Sequence, residues 1–376
     1  MSNVPKLRFK EFSGKWEKKT VGDVGKVSMC KRILKDQTTS DGDIPFYKIG
    51  TFGKEPDAFI SKEIFEEFKA KYSFPKEGEI LISASGTIGR TVIYDGSPSY
   101  FQDSNIVWIA NNEKLALNKF LLYCYENTRW NTENTTIARL YNENLRNIPL
   151  ILPSKQEQEK IALFFTSIDT KIEQLSKKEE LLQQYKKGVM QKIFNQEIRF
   201  KADDGSEFCE WGEKKLDDIL KTVSTKLYQI KSSDILSEGL FKVVDQGQKT
   251  IAGYSNDTEK VYSSGDIIVY GDHTTIVKYI DFDFIVGADG TKLLNTTKDN
   301  NLKYMYYNLV FNNIEAEGYK RHFSILRNIT LQIPSLKEQI KIANFLSSID
   351  SKIEQVQKQL NFIKEFKKAL LQQMFV

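Results

Sequence analysis

From residue 155 onward, apolar residues fall at Ile161, Phe165, Ile168, Ile172 and Leu175, in steps of four, three, four and three. That is heptad spacing, which draws one apolar seam along a helix and leaves the remaining positions to Lys, Glu and Gln. The seam continues through Leu182, Val189 and Ile193, with Glu179 interrupting it. The same pattern returns 181 positions later, at Ile342, Leu346, Ile349, Ile353 and Val356, and runs on through Leu360, Ile363, Leu370 and Met374. Neither stretch holds a proline, so each predicts a helix of about 40 residues, ~60 Å long if straight. Ser154 and Ser335 follow Pro153 and Pro334, and Glu157 and Glu338 lie three positions further on, the spacing of a capping box. Amphipathic helices this long need a partner for the seam, and the other copy is the nearest candidate.

The regions before each helix read differently. Short β-branched runs punctuated by Gly, Asp, Asn and Ser predict strands at Glu79–Ser83, Thr91–Tyr94 and Ile106–Ile109, then a short helix at Asn118–Asn127. Between the first two strands, Ser85-Gly86-Thr87-Ile88-Gly89-Arg90 has the glycines and hydroxyls of a tight loop. The second half repeats this plan more loosely. Its strands are predicted at Gly265–Tyr270, Ile276–Ile280 and Thr291–Leu294 and its helix at Leu302–Asn312, with Gly271–Thr275 in the place of the glycine loop. The start recurs as well: Leu7-Arg8-Phe9 and Trp16 are echoed by Ile198-Arg199-Phe200 and Trp211, and both tryptophans read as core residues. Kept strands with altered loops are what two copies of one scaffold with different ligands would show.

Composition narrows the class. Hydrophobic residues make up 40% and charged residues 28% of 376, the balance of an ordinary soluble globular protein. A net charge of +4 permits a nucleic-acid partner without demanding one. Cys30, Cys124 and Cys209 are widely separated, which argues against a disulfide framework or a zinc site and fits a cytoplasmic protein. No apolar run approaches the ~20 residues of a membrane span. With two histidines, His273 and His322, no Ser/His/Asp set or HExxH motif is readable, and GxxxxGK[ST], GxGxxG and the Asn/Asp-Pro-Pro-aromatic motif of amino-methyltransferases are missing. The chain therefore reads as non-catalytic, with no metal or cofactor of its own.

The paired segments Asn147-Ile148-Pro149-Leu150 with Pro153, Glu157-Gln158, Ile161-Ala162 and Ile168-Asp169, and their copies Pro334, Glu338-Gln339, Ile342-Ala343 and Ile349-Asp350, resemble the specificity subunit of type I restriction-modification enzymes. Trp16 with Gly22-Asp23, and the Ser85–Arg90 segment, look like that family too. The second copy departs from it at Thr330, where the first has Pro149. The resemblance implies an α+β fold with pseudo-two-fold organisation: two similar α/β target recognition domains, separated by two long helices packed as an antiparallel coiled coil. The domains would be residues 1–152 and 197–333, and the helices 153–196 and 334–376. The resemblance also implies an asymmetric bipartite double-stranded DNA target, two modification (methyltransferase) subunits and two restriction (translocase and nuclease) subunits. S-adenosylmethionine, ATP and Mg would belong to those partners. A coiled-coil scaffold without nucleic acid, or a fused nuclease or methyltransferase, are the alternatives.

Arg and Lys suit guanine, Asn and Gln suit adenine, and Ser or Thr serve either, while phosphate contacts fix register. On that basis the DNA-binding candidates are Tyr47, Lys48, Ser85, Thr87, Arg90 and Gln102 in the first half. In the second half they are Asp272, His273, Thr274, Thr275, Lys278, Lys292, Lys320 and Arg321. Lys48 and Lys278 are expected on phosphate, and His322, beside Arg321, on phosphate or in solvent. Lys177-Lys178 and Lys186-Lys187 read as solvated helix face. Helix pairing and subunit docking are assigned to the seam residues Ile161, Phe165, Ile168, Ile172, Leu175, Ile342, Leu346, Ile349, Ile353 and Val356.

Overall fold

The computed structural model describes residues 4–128, 130, 140, 142–287, 289–318 and 320–375. The chain forms two compact units, one running to Ser176 and resuming at Gln359, the other spanning Lys177–Lys358.

Unit 1 contains β1 (Glu17–Thr20), α1 (Val21–Val24), β2 (Gly25–Ser28), β3 (Ile44–Tyr47), β4 (Phe59–Ile60), α2 (Lys62–Lys71), β5 (Ile80–Ser83), β6 (Thr91–Ile93), β7 (Tyr100–Phe101), β8 (Ile106–Asn111), α3 (Asn118–Asn127), α4 (Asn142–Arg146) and β9 (Pro149–Leu152). The long helix α5 (Lys155–Phe194) follows. Among the described residues unit 2 repeats the order without a helix in the place of α2, with β10 (Gly212–Lys215), α6 (Leu216–Ile219), β11 (Leu220–Val223), β12 (Phe241–Val244), β13 (Gly253–Ser255), β14 (Ile267–Gly271), β15 (Val277–Ile280), β16 (Phe284–Val286), β17 (Thr291–Thr296), α7 (Leu302–Phe311), α8 (Phe323–Leu326) and β18 (Thr330–Ile333). The second long helix, α9 (Leu336–Met374), closes the chain.

Three sheets recur in each unit with matching topology. The antiparallel sheet β2-β8-β5-β6 corresponds to β11-β17-β14-β15, the sheet β4-β3-β7 to β13-β12-β16, and the ribbon β1-β9 to β10-β18. The three-stranded sheets share one parallel pairing, β3 with β7 and β12 with β16. The central strands β5 and β14 are buried at every position. Because side chains alternate across a strand, one set faces the helices and the other the smaller sheet. Ile80 and Ile82 join the helix-side core, while Leu81 joins Phe46 and Phe101 beneath the smaller sheet. Ile268 and Tyr270 divide from Ile267 and Val269 in the same way. A strand covered on both faces reads as a continuous apolar run, which is why these two were legible. Trp16 and Trp211 are core residues, as expected.

The long helices pack antiparallel. In unit 1, Ile161, Phe165 and Ile168 near the start of α5 lie in one core with Leu370, Leu371, Met374 and Phe375 at the end of the chain. In unit 2, Met190, Ile193 and Phe194 at the end of α5 share a core with Ile342, Leu346, Ile349 and Ile353 of α9. Glu179, the break in the seam, accepts a hydrogen bond from the Gln357 amide at 2.8 Å. The repeated Ile-Asp segments have a polar counterpart. Asp169 accepts from the Tyr123 hydroxyl at 2.9 Å and from Lys367 at 2.7 Å, and Lys367 also reaches Glu126 at 2.7 Å. Asp350 accepts from Tyr307 at 2.6 Å and from Lys186 at 2.5 Å. Lys186 is therefore mostly buried, against the solvated position expected for it.

The capping box is half made. The N–H of Glu157 lies 3.4 Å from Ser154 Oγ, and that of Glu338 3.5 Å from Ser335 Oγ. The two carboxylates do not turn back to the caps. Buried Glu157 takes two 2.7 Å bonds from Arg8, and buried Glu338 is held by Arg199 at 3.0 Å and by Trp211 Nε1 at 3.2 Å. Gln158 and Gln339 are buried beside them, each bonding the proline carbonyl before its helix and the start of its domain's short helix. Among the described residues no helix is long and apolar enough to cross a membrane.

Candidate nucleic-acid interface

In each unit three loops meet at one end of the sheets: those after β3, β5 and β7 in unit 1, and after β12, β14 and β16 in unit 2. The loops are polar because they leave the sheets at their ends, where the backbone has lost its ladder partners and must find others.

Unit 1 joins its loops through side chains. Gln102 follows β7, and its Oε1 accepts from the Ile49 N–H at 2.9 Å. Arg90 donates to the Phe52 carbonyl at 2.8 Å. Ser85 is buried and bonds Asn105 at 2.8 Å. Gly89 has a φ of +82°, and a Cβ there would lie 2.1 Å from the Trp130 indole nitrogen, so only glycine fits. Tyr47 is stacked on Phe101 with ring centroids 5.9 Å apart, and burial raises its hydroxyl pKa. Lys48 is paired with Asp57 at 2.9 Å. A cleft of about 260 Å³ opens between the loops, with exposed Thr87 and Lys54 and half-buried Arg90 on its wall. The structure thus gathers Thr87 and Arg90 at one cleft and gives Ser85 to the scaffold.

Unit 2 uses different groups for the same purpose. Asp272 is buried; its carboxylate accepts from the Phe323 N–H at 2.9 Å and lies 3.6 Å from the Lys292 ammonium. The ring of His273 contacts the Lys320 carbonyl at 3.0 Å, and the backbone N–H of His273 donates to Gln246 Oε1 at 3.1 Å. Thr274 donates to the Gln246 carbonyl at 2.6 Å, while Thr275 is buried with a φ of +57°. Lys320 is exposed and pairs with Glu317 at 3.0 Å. Arg321 is exposed, with no ion pair among the described residues.

Several expectations are corrected here. Lys278 is not a phosphate contact: it is buried, and its ammonium is clamped on the Asp245 and Lys249 carbonyls at 2.7 and 2.6 Å. Desolvation lowers its pKa, opposed by Asp245. Ser85, Asp272 and Thr275 are likewise held inside their loops, so their side chains shape the surface rather than reach from it. His322 is neither solvated nor on phosphate. It is buried, with Nδ1 3.1 Å from the Asp272 carbonyl, and Nε2 accepting from the Glu317 N–H at 3.0 Å. The seam residues Ile161, Phe165, Ile168, Leu175, Ile342, Leu346, Ile349, Ile353 and Val356 are all buried, which fits helix pairing but removes them from docking; Ile172 is half-buried. The exposed apolar residues of the helices are others: Leu163, Leu181 and Tyr185 on α5, and Leu336, Ile340, Phe362 and Phe366 on α9. Among them, Leu181 with Tyr185 and Phe362 with Phe366 form equivalent pairs. These two pairs are 181 positions apart, so the repeat places the same exposed pair on each helix.

Sequence reading reached the loop after β3 only at Lys48 and missed Lys54 further along it, and it missed the loop after β12, with Asp245 and Gln246, altogether. A signal was present: Tyr47-Lys48-Ile49-Gly50 and Val244-Asp245-Gln246-Gly247 both place a glycine three residues after the last residue of an apolar run.

Comparison with known proteins gives a consistent picture. Residues 13–184 and 209–365 match the family described as type I restriction modification DNA specificity domain. A Haemophilus influenzae type I restriction enzyme specificity subunit is 62% identical over 151 residues, 40% of this chain and 39% of that one. A Methanocaldococcus jannaschii protein described as the MjaX specificity subunit is 25% identical over 421 residues, covering 98% of this chain and 95% of that one. The crystal structure of the type I restriction-modification S subunit from M. genitalium superposes with a TM-score of 0.68, covering 99% of both chains at 18% identity. That match carries the fold.

Proposed function

The chain belongs to the type I restriction modification DNA specificity family, and on that premise we propose that it reads an asymmetric, bipartite double-stranded DNA target, one half-site per unit. The observation that carries this reading is the pair of three-loop ends. They share one scaffold topology and are fastened by unlike residues: Gln102 and Arg90 in unit 1, Gln246 and Lys278 in unit 2. Like scaffolds with unlike loops favour two readers of different sequence over a symmetric site. In unit 1 the base-reading residues are Thr87, Arg90 and the amide of Gln102, with Tyr47 flanking them and Lys48 and Lys54 toward the backbone. In unit 2 they are His273, Thr274 and Lys292, with Lys320 and Arg321 toward phosphate.

The chain supplies the address, and catalysis belongs to its partners. Two modification subunits bring S-adenosylmethionine and two restriction subunits bring ATP-dependent translocation and cleavage with Mg, in the cytoplasm. The twofold occurrence of an exposed apolar pair, Leu181 with Tyr185 and Phe362 with Phe366, supports two copies of one docking partner. Mapping methylated sites across the host genome with and without this gene tests the reading. A split asymmetric motif should lose its methylation when the gene is deleted, and an unchanged methylation pattern would refute the assignment.

A further inference from the structure

Gln246 sits in the loop after β12 and joins all three loops at the reading end of unit 2. Its Oε1 accepts from the His273 N–H at 3.1 Å, in the loop after β14. Its Nε2 donates to the Asp289 carbonyl at 2.9 Å, in the loop after β16. Its own carbonyl accepts from the Thr274 hydroxyl at 2.6 Å. There is little slack around it. Gly290 has a φ of +83°, and a Cβ there would stand 2.8 Å from both Gln246 amide atoms and 2.7 Å from the His273 ring. A primary amide accepts at one atom and donates at the next; a glutamate of the same length accepts but cannot donate. In unit 1 the corresponding position is Ile49, which has no such side chain. There the link runs the other way, from the Ile49 N–H to Gln102 Oε1. Each unit therefore fastens its reading loops with one glutamine, taken from a different loop.

We propose that Gln246 is the positioning residue for the specificity of unit 2, an inference that rests on the DNA-reading function above. It fixes where the His273 and Asp289 loops stand against base edges, and so which bases the second half-site holds, without touching DNA itself. Base discrimination needs donors and acceptors held within about 0.5 Å of their geometry. Affinity from exposed cations on phosphate has no such requirement. Loosening the fastener therefore relaxes sequence choice at one half-site before it abolishes binding.

The test replaces the chromosomal gene by Gln246→Ala, Gln246→Glu or Gln102→Ala, maps methylated sites genome-wide, and follows thermal unfolding of each purified full-length chain. Gln246→Ala should leave one half of the motif intact and relax at least one position in the other, with discrimination there falling roughly ten-fold, the scale of one lost base contact. Gln246→Glu keeps the acceptor for His273 and loses the donor to Asp289, so it should relax the same positions to a smaller extent. Gln102→Ala should relax the opposite half. Undiminished discrimination in both Gln246 variants overturns the proposal, as does relaxation of the same half by Gln246 and Gln102 variants. If Gln246→Ala abolishes methylation, the Glu variant decides. One relaxed half with wild-type melting supports the proposal, and loss of both halves together overturns it, because the residue then serves folding alone. Failure of the underlying DNA-reading function is a separate outcome, seen when deleting the wild-type gene changes no methylation at all.

Discussion

Asp350→Asn and Asp169→Asn are the same substitution at equivalent positions of the two units, and the structure makes them unequal. Asp350 takes hydrogen bonds from Tyr307 and Lys186, whose side chain is 20% exposed. Replacing it by asparagine removes the negative charge and leaves that ammonium, among the described residues, a neutral amide oxygen and the Tyr307 ring, 5.2 Å from its centroid. Charge-assisted bonds of this kind contribute roughly 1.5–3 kcal/mol. Because Asp350 is itself 37% exposed, solvent screening brings the loss down to about 1–2 kcal/mol. In unit 1 the ammonium of Lys367 keeps a second carboxylate, Glu126, when Asp169 is neutralised, so the loss there should be about half as large. For a unit of this size, 1 kcal/mol moves Tm by about 2–4 °C, which puts Asp350→Asn at a fall of about 2–8 °C in unit 2. Hydrogen exchange reads the units separately, through amides of α7 with the facing part of α9, and of α3 with the start of α5. Equal losses in the two units, or a larger loss for Asp169→Asn, would refute the assignment of Glu126 as the compensating partner. Lys186→Met added to Asp350→Asn should cost less than it does alone, because both act on one contact.

Further outcomes follow from the other cross-chain contacts. Arg199→Met strands the fully buried carboxylate of Glu338 and should destabilise unit 2 by about 3 kcal/mol, seen as a drop in its unfolding temperature that Glu338→Gln partly restores. Arg321→Ala removes an exposed cation from the reading end and should weaken DNA binding evenly across sequences, reducing the slope of log K against log salt by about 0.9 in a binding titration. Burial alone would lower the pKa of Lys367, but its hydrogen bonds to Asp169 and Glu126 outweigh it and the net shift is upward. A lysine whose folded value is raised contributes stability that is fully present below its unfolded value of about 10.4 and lost as pH rises through the folded value. Unfolding scans from neutral to strongly alkaline pH should show that loss in the wild type and lack this component in Lys367→Met.

The scaffold was legible because its signals are local and periodic. The heptad seams, the doubly covered strands β5 and β14, and α3 all follow from residues within a few positions of one another. What sequence spacing misjudged depends on groups brought together from afar. Glu157 stands three residues after Ser154, as a capping box requires, yet its carboxylate is taken by Arg8, 149 positions away. His322 follows Arg321 and read as part of a basic surface, but it is buried against the Asp272 carbonyl, 50 positions back. Lys278 lies on a strand facing two carbonyls of another loop, so a residue chosen for its charge serves as a clamp. The glycine at Gly247 marks a turn after the strand, but nothing local marks Gln246 itself, because its role is a meeting of three loops and no periodicity marks such a point.

The two classes of polar contact divide the molecule by purpose. Arg8 with Glu157, Arg199 with Glu338, the two buried glutamines Gln158 and Gln339, and the tyrosine–aspartate–lysine clusters occur in both units at equivalent positions, and all lie where the domain meets the long helices. The fasteners of the reading loops occur once each and lie at the far end of the sheets from those contacts. Among the described residues, the side chains of Gln102 and Arg90 hydrogen-bond only groups of the unit 1 loops, and those of Gln246 and Lys278 only groups of the unit 2 loops. Among the described residues no fastener side chain shares a partner with a helix contact, and sites without shared partners combine nearly additively. Substitutions among the loops should therefore change what a unit reads while leaving the helix pairing at its original stability. A double-mutant cycle between Gln246→Ala and Asp350→Asn measures this directly. A coupling within about 0.5 kcal/mol of zero is expected. A larger value would mean that the reader and the helices are mechanically linked, so that a change of target sequence would carry a stability cost in the scaffold.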